Sequence, residues 1–463
     1  MALQLRSPCR TIILFKNNSF QPLLPLQLSR SFHLPASGPR RTLTSATWDG
    51  SPPPLPRNDY PRPRRDMERL PTTALLRGIV MQAAMSQPYV MGAASALAQR
   101  NIQILTSNPL LRFLLDKIFY AQFCAGSTEA EIKNTVRGLR ALGFKGVITS
   151  YAREVDLSNA AEAASDAKDQ TSHQGHVAQW LEGSLRGIHY SSPGDFVALK
   201  LTGAGPECVR LLEAGMPPDA VMSEAVTQIC ESAKSRGVRL LVDAEHYSQQ
   251  AGIDAWTMDL MEKYNQNGSL VVYNTYQMYL KESTATLARH LERARSGKFA
   301  FGVKLVRGAY LNSDPRHLIH DTRQETDRAY DDAARMLATQ HLDDPSAPKV
   351  GVMLATHNSQ SVKMMRNLRQ EQMQKQLPLA EVVYAQLMGM ADELSLSLIQ
   401  KRENVIEEDI QVFKYAVWGT TEECMMYLLR RADENRDAVD RGQLTQQALW
   451  RELRQRLFPS ISV

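Results

Sequence analysis

Residues 301–311 read FGVKLVRGAYL: a short β-rich run, 301–306, is followed by polar and small residues. Comparable runs, each followed by a longer stretch with helical spacing, occur at 146–151, 196–201, 238–243, 270–273, 301–306, 350–354, 381–384 and 411–415. Eight strands alternating with helices predict an α/β protein whose parallel sheet closes into a distorted (β/α)8 TIM-type barrel. The alternative is an open, doubly wound sheet, but no Gly-x-Gly-x-x-Gly motif follows the first strand.

Helical patterning precedes the first strand and predicts an N-terminal helical extension. One helix is predicted to begin at Pro109, since proline suits a first helical turn. A second is predicted to begin after Thr128, because Glu131 completes a capping box, and to end at Gly143. We therefore assign residues 69–143 to this extension.

The ends of the barrel region differ in composition from its middle. Residues 1–48 contain six lysines and arginines and no acid, which is typical of a mitochondrial transit peptide; the alternative is a disordered tail without an address. Residues 49–68 are proline-rich and predict a linker, so the barrel is assigned to 144–463. Within it, residues 155–180 are small and polar, and they predict a long mobile insertion.

Charge argues against a nucleic-acid partner. Without the six positive charges of the first 48 residues, the formal net charge of +5 becomes −1. A nearly neutral chain lacks the basic surface that binding to a phosphate backbone requires.

Three ionisable residues lie at or near the ends of predicted strands. Lys200 lies within the second predicted strand, Asp243 ends the third and Lys304 lies within the fifth. Charged groups in apolar strands are costly to bury unpaired, and barrel enzymes place their chemistry at the carboxyl ends of strands. Three such residues on different strands therefore favour a site, although an internal ion pair would explain any one of them.

Polar residues follow two further strands. After the fifth, Arg307 offers a planar cation and Gly308 allows close approach of the backbone, which suits a phosphate or a cofactor edge. After the sixth, Thr356, His357 and Asn358 suit a polar ligand. A tight turn in the first case and an ordinary loop in the second remain alternatives.

An arginine pair follows the eighth strand. Arg430 and Glu434 are four residues apart and share a helical face, with Arg431 beside them. Two adjacent guanidinium groups suit a carboxylate, which each can bind in a fork. On the pattern alone, a solvated charged helix surface is the more common explanation. No spacing typical of a metal site is present, so no metal is predicted.

Taken together, the motifs resemble one family. They occur in order along the barrel: ALKLTG from Ala198, LLVDAEH from Leu240, YNTYQMYLK from Tyr273, KLVRGAYL from Lys304, ATHN from Ala355 and YLLRRADEN from Tyr427. This ordered set resembles the proline dehydrogenases, specifically the monofunctional mitochondrial enzymes of eukaryotes, over roughly residues 140–440.

The resemblance implies a function and its partners. It implies FAD held non-covalently over the strand ends and oxidation of L-proline to Δ1-pyrroline-5-carboxylate. Electrons would pass to a membrane quinone, and the enzyme would lie on the matrix side of the inner mitochondrial membrane, bound peripherally.

The resemblance also assigns site residues. Those implied to be catalytic are Asp243, Lys304 and Tyr415. Those implied to bind the substrate are Lys200, Leu387, Tyr415, Tyr427, Arg430 and Arg431, with Glu154 as a gate that pairs with Arg430. Those implied to contact FAD are Ala244, Asn274, Lys304, Val306, Arg307, Gly308, Ala309, Thr356, His357, Asn358 and Glu434.

Two other functions remain open. A hydroxyproline dehydrogenase would share the fold and the cofactor, and Tyr415 discriminates because a smaller residue there would admit the extra hydroxyl. The other alternative is a non-catalytic barrel that serves as a scaffold, against which the retained charged residues argue.

Overall fold

Eight parallel strands form a closed barrel in which each strand pairs with its neighbours in the chain and β8 pairs with β1. The computed structural model describes residues 67–85, 108–153, 170–344, 346–400, 409–436 and 439–458. The strands are β1 Gly146–Tyr151, β2 Phe196–Leu199, β3 Arg239–Val242, β4 Val272–Gln277, β5 Phe301–Val306, β6 Val350–Ala355, β7 Glu381–Leu387 and β8 Gln411–Trp418. The predicted (β/α)8 barrel is thereby confirmed.

Helices precede the barrel, follow its strands and end the described chain. In chain order they are α1 Thr72–Met85, α2 Pro109–Leu114, α3 Glu129–Leu142, α4 Gln170–Tyr190, α5 Pro206–Glu213, α6 Ala220–Ser235, α7 Tyr247–Tyr264, α8 Ser283–Gly297, α9 Arg323–Asp343, α10 Ser359–Gln374, α11 Asp392–Ile399, α12 Met425–Arg436 and α13 Val439–Leu457. Short 3₁₀ turns lie at Leu201–Ala204 and Arg316–Leu318. Within the described residues, no helix combines the length and the apolar character needed to cross a membrane.

The strands alternate between two buried environments. Ile148, Phe196, Tyr273, Met353 and Phe413 belong to a cluster that fills the barrel. Their apolar neighbours along the strands pack instead against the surrounding helices, in a second and larger cluster, except on β1, where Val147 belongs to a separate cluster. Successive side chains of a strand point to opposite faces. The alternation therefore indicates which residues of each strand face the barrel interior.

The helical extension begins and ends as its sequence predicts. Thr128 caps α3, its side chain accepts from the Glu131 amide, and the Glu131 carboxylate accepts from the Thr128 amide in return. Gly143 ends the helix with a φ of 107°, a conformation that favours glycine. The helix that begins at Pro109 continues through a π-helical turn at Leu115–Tyr120.

Two predicted segments need correction. The predicted insertion ends too late, because residues 170–180 form the first half of α4 rather than a mobile loop. The fourth strand was predicted at 270–273, but it begins at Val272 and continues to Gln277. The transit peptide and nearly all of the linker lie outside the described residues.

Candidate active site

Asp243, Lys304 and Tyr415 meet inside the barrel: Asp243 directly follows β3, whereas Lys304 and Tyr415 lie within β5 and β8. The Lys304 Nζ lies 2.5 Å from Asp243 Oδ1, and the Tyr415 hydroxyl donates to Asp243 Oδ2 at 2.6 Å. The Lys304 ammonium is also 5.2 Å from the centroid of the Tyr415 ring. Burial, and then the Asp243 carboxylate, raise the pKa of Tyr415 well above its usual value, so the phenol is protonated and serves as a donor.

The barrel's alternation explains why these groups converge. Val303 and Leu305 pack outward, so Lys304 points inward between them. Asp243 comes directly after β3, and its amide donates to the Leu199 carbonyl of β2. Both charged side chains are almost fully buried, with relative exposures of 7% for Asp243 and 6% for Lys304. The internal ion pair considered from the sequence therefore exists, and it lies towards the carboxyl ends of the strands.

Positive charge gathers around the end of β3. His246 follows Asp243, and burial lowers its pKa most strongly. The Asp314 carboxylate opposes this effect, whereas the charges of Arg430 and Lys200 lower the same pKa further. Both cations therefore act electrostatically on one imidazole, although they come from α12 and from the segment after β2.

The second arginine of α12 is buried. Arg431 has a relative exposure of 6%, and its guanidinium lies 5.0 Å from the centroid of the Tyr427 ring, one helical turn earlier. Tyr427 itself is buried in a cluster that includes Tyr120, Phe123 and Leu428. The surface interpretation of the arginine pair is thus wrong for Arg431, while Arg430 is only partly buried.

Arg307 is held in a network at the ends of β5 and β6. Its Nε donates to Asp327 at 2.6 Å, one terminal nitrogen to Thr356 Oγ1 at 2.7 Å and the other to Ser361 Oγ at 2.8 Å. The guanidinium also stacks over the Tyr330 ring, 4.4 Å from its centroid. A guanidinium carries five N–H groups, so two remain beyond these three bonds.

The glycine after Arg307 is required by packing. Gly308 has a φ of 154°, and a Cβ at this position would lie 2.5 Å from the ring of Tyr279. The next amide, that of Ala309, donates to Gln277 Oε1 at 3.1 Å. The side-chain amide of Gln277 in turn donates to the Glu245 carbonyl at 2.9 Å, and the two bonds link the ends of β3, β4 and β5.

Gln277, rather than Asn274, is the polar residue that β4 contributes to the strand-end groups. Val272 and Tyr276 pack outward, so Asn274 also points outward, where its amide donates to Asp254 of α7 at 2.9 Å. The structure therefore does not bring Asn274 to the strand-end groups, and its expected flavin contact is corrected. Gln277 has the inward phase of Tyr273, a signal that the sequence contained but that the shorter predicted strand missed.

The ends of β6 and β7 are joined through an imidazole. The Leu387 amide donates to His357 Nε2 at 3.2 Å, so this nitrogen is unprotonated and the neutral ring carries its proton on Nδ1. Thr356 is buried, and its hydroxyl accepts from both Arg307 and the Asn358 amide. Asn358 caps α10 through a bond from the Gln360 amide, so its side chain is already engaged.

A buried lysine that the sequence analysis missed secures the β7 loop. Lys414 points outward from β8, opposite in phase to Tyr415, and has a relative exposure of 1%. Its ammonium donates to Asp392 at 2.7 Å and to the Met390 carbonyl at 2.9 Å. Burial lowers its pKa, and the Asp392 carboxylate opposes that shift. Lys414 thereby stabilises the turn that follows Leu387.

The remaining predicted site residues either lie outside the described part of the chain or are only partly buried at strand ends. Glu154 and the side chain of Glu434 lie outside the described residues, so the gate and that flavin contact stay predictions. Val306 and Ala244 are partly buried at the ends of β5 and β3, and their flavin contacts also stay predictions. Among the residues described, no group of three or more histidine, cysteine, aspartate or glutamate side chains could hold a metal ion.

The fold and the strand-end cluster define a (β/α)8 barrel with the charged interior site of an enzyme. A family model described as proline dehydrogenase matches residues 132–443. The chain belongs to the proline dehydrogenase family, so the resemblance found from the strand-end motifs is confirmed and the chain is placed among oxidoreductases.

Individual relatives agree with this family. The chain is 31% identical over 409 residues to a protein of Schizosaccharomyces pombe named probable proline dehydrogenase, mitochondrial, which covers 76% of this chain and 81% of that one. It is 30% identical over 387 residues to human hydroxyproline dehydrogenase, covering 73% of this chain and 81% of that one.

Solved structures show the same fold at lower identity. Proline utilization A (PutA) from Bdellovibrio bacteriovorus, inactivated by N-propargylglycine, superimposes with a TM-score of 0.56 at 15% identity. The match covers 80% of this chain but only 38% of that protein. At this identity the likeness supports the barrel fold alone.

Proposed function

We propose that this protein oxidises L-proline to Δ1-pyrroline-5-carboxylate with FAD as cofactor, the first step of proline catabolism. The observation that carries the proposal is the cluster of Lys304, Asp243 and Tyr415, buried at the strand ends of a barrel of this family. A charged pair inside a barrel is costly to desolvate, and such groups concentrate at catalytic sites.

The cations near β3 suit the substrate carboxylate. Arg430, Arg431 and Lys200 would bind it, because two guanidinium forks supply directed donors and the lysine adds charge. The influence of Arg430 and Lys200 on one imidazole supports a shared electropositive region. Holding the carboxylate there orients the ring carbon that reacts.

The aromatic residues suit the substrate ring. Tyr415 and Tyr427 present apolar faces beside the buried pair, and Leu387 follows β7 at the same end of the barrel. In this arrangement Asp243 fixes the phenol of Tyr415, and the substrate amine must arrive unprotonated because the reaction uses its lone pair. No general base is assigned.

The residues at the ends of β4, β5 and β6 fit a flavin by their chemistry. Lys304 brings a cation, Arg307 has two N–H groups beyond its protein bonds, and Gln277 joins the Ala309 backbone beside them. We assign cofactor contacts to these residues, to Val306 and Gly308, and to the Thr356–His357 pair. FAD, when bound, supplies the acceptor for the hydride equivalent that leaves the carbon next to the substrate nitrogen.

Tyr415 favours proline over hydroxyproline. Relatives of both kinds exist, so the family alone does not choose between them. The bulky phenol, fixed by its bond to Asp243, leaves less room for a ring hydroxyl than a smaller residue would. A non-catalytic scaffold would have no need of a buried charge pair and a buried arginine at the same end of the barrel.

We further propose that the enzyme resides in mitochondria, on the matrix side of the inner membrane, and passes electrons to a membrane quinone. The acid-free N-terminal 48 residues and the mitochondrial names of relatives support the compartment. Import of the full chain into isolated mitochondria, compared with a chain lacking residues 1–48, tests the address. Equal import of both would contradict it.

Turnover tests the reaction itself. Purified protein supplied with FAD, proline and a soluble quinone should form the cyclic imine and quinol in equal amounts. Quinol formation without imine, or no proline-dependent turnover in protein that retains FAD, would contradict the proposal.

A further inference from the structure

Ser150 lies beside Tyr415 on the inner face of β1. Its hydroxyl oxygen is 3.0 Å from the phenol oxygen, and its side chain is 2% exposed. Ile148, two residues earlier, belongs to the interior cluster and pairs in register with Tyr415. The tyrosine ring therefore extends along the inside of the barrel from the level of Ile148 to that of Ser150.

The direction of the hydrogen bonds follows from the groups present. The phenol has one proton and two neighbours: the Asp243 carboxylate, which can only accept, and the Ser150 hydroxyl, which can donate or accept. The bond to Asp243 is shorter, 2.6 Å against 3.0 Å, and it is charge-assisted. The phenol therefore donates its proton mainly to Asp243, and Ser150 Oγ is the second polar contact of the phenol oxygen.

A chain of polar contacts results, running from Ser150 through Tyr415 to Asp243, whose other oxygen accepts from Lys304. Three of its members come from β1, from the end of β3 and from β5, the alternate strands that contribute to one layer of a barrel interior. Tyr415, which pairs in register with Ile148, reaches that layer with its hydroxyl. Ser150 lies at the end of this chain.

We propose that Ser150 is a positioning residue for Tyr415, whose hydroxyl fixes the phenol against the substrate ring. This role rests on the proposed function, because the substrate is what the phenol would meet. Asp243 holds the phenol oxygen from one side only, so the ring can still tilt about its bonds to the β8 backbone. A second contact from a different strand restricts that tilt.

The proposal predicts a specific kinetic signature. Ser150→Ala removes the hydrogen bond between Ser150 and the phenol, and KM for proline should rise about fivefold, the size of a lost neutral hydrogen bond. The value of kcat should change less than about twofold, since packing against the ring is made both before and during reaction. The preference for proline over trans-4-hydroxyproline should fall.

A matched pair of variants isolates the hydroxyl. Ser150→Thr keeps it and Ser150→Val has the same shape without it, so KM should be near wild type for the first and raised for the second. Thr149→Val is the control, because it removes a buried hydroxyl from the outward face of the same strand, where it bonds to Gly187 and Ser191. It should leave KM unchanged.

The deciding experiment repeats Ser150→Ala in a Tyr415→Phe background, with flavin content and melting temperature measured for every variant. A residue that acts through the phenol has no further effect on KM once the phenol oxygen is gone. An equal rise in KM in both backgrounds, or equal KM for the Thr and Val variants, would overturn the role. Inactive wild-type protein would overturn the proposed function and this role with it.

Discussion

Removing the charges of Asp243 and Lys304, singly and together, separates the stability of the buried pair from its chemistry. Asp243→Asn leaves the Lys304 ammonium buried without its carboxylate, and Lys304→Met leaves the carboxylate with the Tyr415 donor only. Both groups are less than a tenth exposed. Breaking a buried pair at one partner costs about 3–5 kcal/mol, because the remaining charge stays desolvated.

The double variant behaves differently. With both charges removed, no ion remains to desolvate, and replacing a buried pair by neutral groups is often close to neutral in stability. We expect the free energy of unfolding of Asp243→Asn/Lys304→Met to lie within about 1 kcal/mol of wild type. Flavin reduction by proline should nevertheless slow by about a hundredfold, the usual cost of one preorganised polar group.

Urea titration gives the four unfolding free energies, and anaerobic mixing with proline gives the reduction rates, with FAD content measured in each sample. If the two single losses simply add in the double variant, the charges are not coupled and the reasoning fails. If the double variant reduces its flavin at the wild-type rate, the pair is only structural.

Three further changes test other parts of the site. Tyr415→Ser should shift preference towards trans-4-hydroxyproline by about 1–3 kcal/mol, measured as the ratio of kcat/KM values; an unchanged ratio would mean that the phenol does not face the ring. Arg431→Lys keeps the charge but loses the fork, so proline binding should weaken by about 2–5 kcal/mol while turnover of pyrrolidine, which lacks the carboxylate, stays at the wild-type level. Equal losses for both substrates would assign Arg431 to the fold or the flavin. Burial raises the pKa of Asp254 to about 6 from its ordinary 3.8, so the folded state loses stability relative to the unfolded state as pH rises from about 3.8 to about 6, and this loss persists in full at higher pH. Asp254→Asn can keep the bonds that Asn274 and Gln250 both donate to Oδ1, and it should raise the melting temperature more at pH 8 than at pH 5; the opposite order would contradict the assignment.

The features that the sequence predicted well are local or periodic. The capping box at Thr128 and Glu131 and the glycine at 143 involve neighbours within a few residues, so their geometry follows from the local sequence. The β5 boundaries agree because an apolar run ends abruptly at Arg307. The ordered strand-end motifs identified the family because barrel topology brings the ends of parallel strands together.

The features that it missed depend on partners distant in the chain. Asn274 points outward, where its partner Asp254 lies on the helix before β4. The polar residues around Asn274 made the predicted strand end too early. Lys414 is tolerated in the core only because Asp392 lies 22 positions earlier along the chain. Ser150 gains a role from Tyr415, 265 positions away and at the opposite end of the barrel sequence.

Proline should reduce a flavin bound beside Lys304 and Asp243 at the carboxyl ends of the barrel strands. Anaerobic titration of the FAD-loaded protein with proline, followed by the visible absorbance of the flavin, tests it most directly. We expect complete bleaching by proline at concentrations lower than trans-4-hydroxyproline requires. Protein that cannot be loaded with FAD, or a flavin that stays oxidised with proline yet bleaches with dithionite, would contradict it.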